Sequence, residues 1–256
     1  MNRLQTRPAP AITVTTRGEV TLAAPDYART KLLAVLEKTD EPVLAVRVKL
    51  TQEPNHAVAK PSTAQATLDL NGRPVRAHVA AATMQEAVDL LQDRLNARIA
   101  RVRTHHRHHR QHAERPVAGQ EHRPQRRVLD AEERRIVRHK SYSFTRQTTW
   151  AAVFDLDAMD YDFHLYTDAV TGCDSVVHHD GAAGEYRIAS AGPAPETEPG
   201  ISVSTDAVPE LTVAGAVSRL DLSGLPFVFF TNSETGRGNV LYHRYDGHYG
   251  VITPAE

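Results

Sequence analysis

Three sets of residues have the types and spacing to do chemistry. In MQEAVDLLQDRLNARIARVR, Arg94, Arg98 and Arg101 stand at i, i+4 and i+7, so their guanidinium groups line one ridge of a helix, an arrangement suited to phosphate. Lys31 and Lys38 share a helix face in the same way in DYARTKLLAVLEK. Six of the fourteen histidines, at 105, 106, 108, 109, 112 and 122, crowd an arginine-rich stretch. Such tracts bind metal adventitiously, but no carboxylate or fixed helix face sets a geometry here, so no specific metal and no other cofactor is expected. The third set is VFDLDAMD, residues 153 to 160, where Asp155 and Asp157 have the spacing of a nucleophile and its acid in phosphoryl transfer.

The elements that must position the basic residues come early in the chain. AITVTTRGEV alternates as a strand, and the Lys31 segment comes next with Ala28, Leu32, Val35 and Leu36 at helical spacing. VLAVRVKL puts Leu44, Val46, Val48 and Leu50 on one face and Arg47 and Lys49 on the other, the period of a half-buried strand. TAQATLDL repeats the device, Asn71-Gly72 signals a two-residue hairpin, and RPVRAHVAA returns with Arg76 and His78 outward. Thr83 and Glu86 form a capping box that opens the arginine-bearing helix, whose buried stripe is Met84, Val88, Leu91, Leu95, Ile99 and Val102. The expected fold of residues 1–103 is therefore an α+β sandwich, βαβββα, with a four-stranded sheet carrying two helices on one face.

Charge separates this segment from the carboxy-terminal half of the chain. Residues 1–103 hold 15 Lys/Arg against 10 Asp/Glu, residues 104–140 hold 10 against 5, and residues 141–256 hold 5 against 16. A polyanion prefers the first 140 residues and is repelled by the rest. A basic ridge on a helix is by itself more often a solvated face than a binding site. Here it runs into a basic linker, and Arg47, Lys49 and Arg76 stand on the exposed sheet face of the same segment. Folded RNA, recognised by shape and backbone phosphate, is the expected partner, and the strands lack the aromatic pair that would stack single-stranded bases.

Residues 104–135 are poor in large apolar side chains and read as a basic His/Arg-rich flexible linker. Cys173 is the only cysteine, which excludes an intrachain disulfide. No apolar stretch approaches the ~20 residues of a membrane span. The start MNRLQTRPAPAITV has no continuous apolar block after its basic residues, so the expected location is the cytoplasm.

The acidic part is duplicated. A 64-residue shift aligns 148–179 with 212–243 without a gap, and eleven of the 32 positions are identical. Two tandem small α+β units of βαβββ-like order are expected, 136–191 and 201–256, with a Pro-rich spacer at 192–200. Units this small rarely stand alone, so their apolar faces are expected to pair. The candidates for that contact are Phe163, Leu165 and Tyr166 in the first copy and Phe227, Phe229, Phe230 and Tyr242 in the second. VFDLDAMD looks like the nucleophile strand of a haloacid-dehalogenase phosphatase. Its aligned copy VSRLDLSG keeps only one Asp, however, and no lysine comes after Lys140, so a solvated helix end is the expected reading and the protein is read as no enzyme.

The βαβββα segment, the linker and the terminal motif FFTNSETGRGNVLYHRYDGHYGVI together resemble the long form of the ribosome hibernation-promoting factor. The motif residues are Thr231, Asn232, Glu234, Thr235, Gly236, Asn239, Val240, Tyr242, Arg244, Asp246, Gly247, Tyr249 and Gly250. The resemblance implies that residues 11–103 bind the small ribosomal subunit in the channel used by mRNA and tRNA, inhibit translation and preserve idle ribosomes under stress or in stationary phase. Lys38, Arg94 and Arg101 occupy positions where the family has basic side chains facing rRNA. Lys31, Arg47, Lys49, Arg76 and Arg98 join them from the face argument. The family's terminal module homodimerises, but the usual form has one such module and this chain has two; actinobacterial relatives with a duplicated tail look most similar. Pairing of the repeats within the chain and homodimerisation through the second copy both remain open, as does a stress-linked regulatory RNA- or protein-binding factor acting off the ribosome.

Overall fold

The structure, a computed structural model, describes residues 10–39, 41–55, 58–107, 122–143, 145–180, 185–196 and 199–255. They divide into two units. The first comprises the described residues of Met1–His109 and Gly119–Pro124 together with Ala158–Asp160; the second comprises most of the rest.

In the first unit the elements run β1 (Ile12–Arg17), α1 (Ala24–Glu37), β2 (Val43–Gln52), β3 (Ser62–Leu70), β4 (Arg73–Ala81) and α2 (Met84–Arg107). The sheet order is β1-β2-β3-β4, with β1 parallel to β2 and the other pairs antiparallel. α1 supplies the crossover that a parallel pair requires. The β3–β4 turn sits at Asn71 (φ +53°) and Gly72 (φ +85°), both left-handed as a tight hairpin demands, and the Gly72 N–H donates to Asp69 Oδ1 at 2.7 Å. Thr83 Oγ1 accepts from the Glu86 N–H, and Glu86 Oε2 accepts from the Ala82 N–H, which anchors the start of α2. All six residues of the expected α2 stripe are buried, as are Val46, Val48 and Leu50 of β2. Leu44 departs from expectation at 59% exposed, because a register shift between Val43 and Ala45 breaks the alternation of β2 just there.

The second unit contains β5 (Ile136–Tyr142), β6 (Arg146–Gln147), α3 (Thr149–Ala158), β7 (Phe163–Asp168), β8 (Asp174–His179), β9 (Tyr186–Ser190), β10 (Ile201–Val203), β11 (Glu210–Leu211), α4 (Val213–Ser223), β12 (Phe227–Asn232), β13 (Gly238–His243) and β14 (Tyr249–Pro254). The two repeats match in detail. Thr148 and Thr212 cap α3 and α4 through hydrogen bonds from the Ala151 and Gly215 amides. Asp168 and Asn232 hold equivalent turns that close on Gly172 (φ +69°) and Gly236 (φ +66°).

The repeats are nevertheless not self-contained. One sheet has the order β10-β9-β8-β7-β6 and the other β11-β12-β13-β14-β5, so each copy lends its leading strand to the other's sheet. Geometry explains the exchange. For β5 to take the place of β10, the chain would have to cross four strand spacings, about 19 Å. The three residues between β5 and β6 reach at most about 14 Å. β5 runs parallel to β14 instead, from Ile136 opposite Tyr249 to Tyr142 opposite Pro254.

Each of these sheets is buried on both faces. α3 covers one through Ala152, Val153, Leu156, Tyr166, Val177 and Ile188, and α4 covers the other through Ala216, Leu220, Val228, Phe230, Leu241 and Val251. The inner faces meet in a third cluster of Leu165, Val176, Phe229 and Val240, flanked by Phe163, Phe227 and Ile252. Strands covered on both sides read as continuous apolar runs, which is why FVFF carries no polar alternation.

The expected flexible linker is held where it is described. The Arg127 N–H donates to the Tyr245 carbonyl at 3.0 Å, Arg126 Nη2 to Asp162 at 2.7 Å and Arg134 Nη1 to Asp221 at 2.7 Å. The His-rich residues 108–121 lie outside the described residues.

Candidate nucleic-acid interface

The sheet face of the first unit away from the helices carries two polar rows. Strand register places Thr13, Arg47, Thr67 and Arg76 in one row and Thr15, Lys49, Gln65 and His78 in the next. Arg47 and Lys49 are exposed on β2, while Arg76 is half-buried and donates to Gln65 Oε1 at 3.2 Å. Arg17, exposed at the end of β1 on the same face, extends the basic surface. The alternation of TVTTR already marked that side chain as outward, but it was not singled out from the sequence.

Lys38 is exposed at the C-terminal cap of α1. Lys31 is engaged: its Nζ lies 2.7 Å from Asp89 Oδ1 and 5.2 Å from the centre of the Tyr27 ring. The hydrogen bond with Asp89 raises the Lys31 pKa and lowers that of Asp89, so the pair stays ionised.

The arginine ridge of α2 divides. Arg101 is half-buried, whereas Arg94 and Arg98 are 8% and 6% exposed. Both guanidinium groups donate to Asp160 Oδ1, at 2.8 Å and 2.5 Å, and Arg123 Nη2 joins them at 2.9 Å. The other carboxylate oxygen of Asp160 accepts from the His78 N–H at 3.1 Å, and the His122 carbonyl accepts from the Ala80 N–H, so the edge of β4 is closed. Burial opposes ionisation of Asp160, but Arg98, Arg123 and Arg94 outweigh it and hold the carboxyl below its ordinary pKa. Burial, with Arg76 beside it, pushes His78 down to about 3. Helical spacing gave Arg94 and Arg98 a common face correctly; it carried no sign of a carboxylate 66 positions from Arg94.

The aspartates of VFDLDAMD are not a solvated helix end. Asp157 is 7% exposed and accepts from the Tyr186 hydroxyl at 2.7 Å, and its counterpart Asp221 accepts from Tyr249 at 2.5 Å. Shared work in holding a tyrosine accounts for the one aspartate kept in both copies. Asp155 accepts from Gln147 Nε2 at 2.7 Å. Among the described residues, no group of three or more His, Cys, Asp or Glu is placed to hold a metal ion.

Of the side chains expected at the contact between repeats, Phe163, Leu165, Phe227 and Phe229 share one cluster, and Tyr242 stands 5.5 Å from the Phe163 ring. Tyr166 and Phe230 do not join it. The two-residue period turns them toward α3 and α4, into the cores of their own sheets. Asp174 was missed: it accepts from Arg237 Nε at 2.8 Å and from the Gly238 N–H at 2.9 Å across the contact.

A sheet studded with cations and hydroxyls, backed by two helices and succeeded along the chain by paired acidic repeats, defines an α+β class of protein with one basic sheet face and a tail that folds on itself. Comparison with known proteins narrows this. The family described as "Sigma 54 modulation protein / S30EA ribosomal protein" matches residues 12–107, and its C-terminal counterpart matches 131–188 and again 201–251. The chain is 37% identical over 219 residues to the "Dormancy associated translation inhibitor" of Mycobacterium tuberculosis, covering 81% of this chain and 76% of that one. It is also 41% identical over 54 residues to the "Ribosome hibernation promotion factor" of Bradyrhizobium diazoefficiens, covering 21% and 27% respectively. Among solved structures, the N-terminal domain of Thermus thermophilus Protein Y is similar over 35% of this chain and 96% of that chain, at 26% identity and a TM-score of 0.30. The protein belongs to the S30EA ribosomal protein family.

Proposed function

We propose that this protein is a ribosome hibernation factor. The first unit binds the small ribosomal subunit in the channel used by mRNA and tRNA, inhibits translation and preserves inactive ribosomes. It acts in the cytoplasm, as a binding factor rather than an enzyme. The observation that carries this reading is the exposed set Arg17, Arg47 and Lys49 on the sheet face, with Lys38 exposed at the cap of α1, in a chain 37% identical over most of its length to a dormancy translation inhibitor. Cations on a small sheet neutralise backbone phosphates of folded RNA, whose grooves favour recognition by shape and backbone.

Arg94 and Arg98 enter this reading differently from the exposed cations. Reversing their charge would set two carboxylates against Asp160 and break the fold as well as any contact with RNA. The clean test reverses Lys38, Arg47 and Lys49 to Glu and measures co-sedimentation with purified small subunits. Affinity should fall about 100-fold, with a shallower dependence on salt. Unchanged binding by a folded triple variant would remove the proposal.

The paired repeats support silencing of single ribosomes, since the aromatic face that would join two copies is already covered within the chain.

A further inference from the structure

The 64-residue shift gives each position at the contact between repeats a counterpart in the other copy, and at that contact the counterparts differ in a complementary way. Asp174 corresponds to Gly238, and Cys173 to Arg237. Asp174, only 7% exposed, accepts from Arg237 Nε at 2.8 Å, Arg237 Nη2 at 3.1 Å, the Gly238 N–H at 2.9 Å and the Thr167 hydroxyl at 3.2 Å. A Cβ on Gly238 would stand 2.6 Å from the Asp174 Cβ and 2.9 Å from the Phe229 ring. The carboxylate on one side therefore needs bare backbone on the other. Size is traded along the rest of the face: Leu165 corresponds to Phe229 and, past a one-residue slip that aligns Tyr186 with Tyr249, Ala189 corresponds to Ile252, and all four belong to the same cluster. The matched pair Phe163 and Phe227 lie against each other at a tilt of 37°, with ring centres 4.6 Å apart.

Two first repeats facing each other would bring Asp174 against Asp174, with Cys173 where the guanidinium now stands. Two buried carboxylates without that cation repel and resist ionisation. Two second repeats would bring Gly238 against Gly238, leave both amides without their acceptor, and set Phe229 against Phe229 and Ile252 against Ile252. Overfilling and an unmet buried N–H both disfavour that pair. The first repeat facing the second gives the Asp174 carboxylate its cation and the Gly238 amide its acceptor.

We propose that Asp174 on one side and Arg237-Gly238 on the other specify pairing of unlike repeats within one chain and exclude a second copy of the chain from this face. Exchange of β5 and β10 acts in the same direction, since each sheet is short of an edge strand without the other copy. The spacer between β9 and β10 keeps the partners at an effective concentration of roughly millimolar, so a second chain is outcompeted. The inference rests on the second unit alone, so its failure and the failure of ribosome binding are separable.

The test uses the full-length chain. Gly238→Asp should lower the midpoint of thermal unfolding of the second unit by roughly 10 °C, and Asp174→Gly by about half as much. The fourfold exchange C173R/D174G/R237C/G238D moves the ion pair to the opposite side of the contact and should recover most of the loss caused by Gly238→Asp. A purely local need for glycine at 238 would not be rescued, and failure of the exchange to recover stability overturns the proposal. Light scattering of the wild-type chain at micromolar concentration needs no variant to fold: one chain per particle is expected, and a stable dimer overturns the proposal.

Discussion

The sheet of the first unit is covered by helices on one face and presents Arg47 and Lys49 on the other, whereas both sheets of the second unit are covered on both faces. The difference separates two uses of the same element. An open face with period-two alternation is a surface held ready for a large partner, at the cost of leaving one side of the sheet without packing. A doubly covered sheet has spent both faces on stability, and what it offers outward is its helices, loops and edges. Under the proposed function the first unit binds through its open face, while the second closes on itself.

Removing packing from the closed unit should have the largest effect. Phe230 is fully buried beneath α4, and Phe230→Ala is expected to destabilise the second unit by about 4 kcal/mol. In a urea titration its transition should move well ahead of that of the first unit, while small-subunit binding by the first unit is retained at low urea. Loss of both together would mean that the two units do not divide the work as described.

A smaller effect belongs to pH, through the first unit. His78 is neutral when folded, because burial first and the neighbouring Arg76 second push it down to about 3. Its unfolded value is about 6.5, so between these values the unfolded chain binds more protons and stability falls as pH falls. From pH 6.5 to 5 the loss is about 2 kcal/mol, and His78→Gln should flatten that part of the stability profile. Asp160 works in the same direction at lower pH. Its depressed carboxyl supports the fold above the ordinary carboxylate range, and that support is lost as pH falls through its folded value. An unchanged slope in the His78 variant would place the acid sensitivity in the second unit, where burial likewise lowers His164 and His178.

The smallest change compares the repeats directly. Thr148→Ala and Thr212→Ala each remove one helix cap, at 3.3 Å and 3.1 Å, and each should cost about 1 kcal/mol. Equal losses, read by chemical denaturation, would show that the copies keep equal local roles despite their divergent faces.

Much of this was legible from local pattern. Alternation marked β2 to β4, Asn71-Gly72 marked the β3–β4 hairpin, Thr83 and Glu86 marked the start of α2, and a 64-residue shift marked the duplication. These signals act between residues a few positions apart, where backbone geometry leaves few options, or between two copies of one pattern. Alternation failed at Leu44, where the strand slips register, and at FVFF, where burial on both sides erases the polar residues that would have told Phe229 from Phe230.

What the amino-acid order determined alone was the set of elements, the basic character of the first 140 residues and the existence of two copies of one small unit. Only the tertiary structure decided that Asp160 holds Arg94 and Arg98, that β5 and β10 trade sheets, and that Asp174 faces Gly238. Each of these joins residues far apart in the chain, and nothing in a local pattern encodes which distant group will arrive. The place of β5 in the other copy's sheet comes from how far three residues can reach, a constraint that appears only once the sheets have formed.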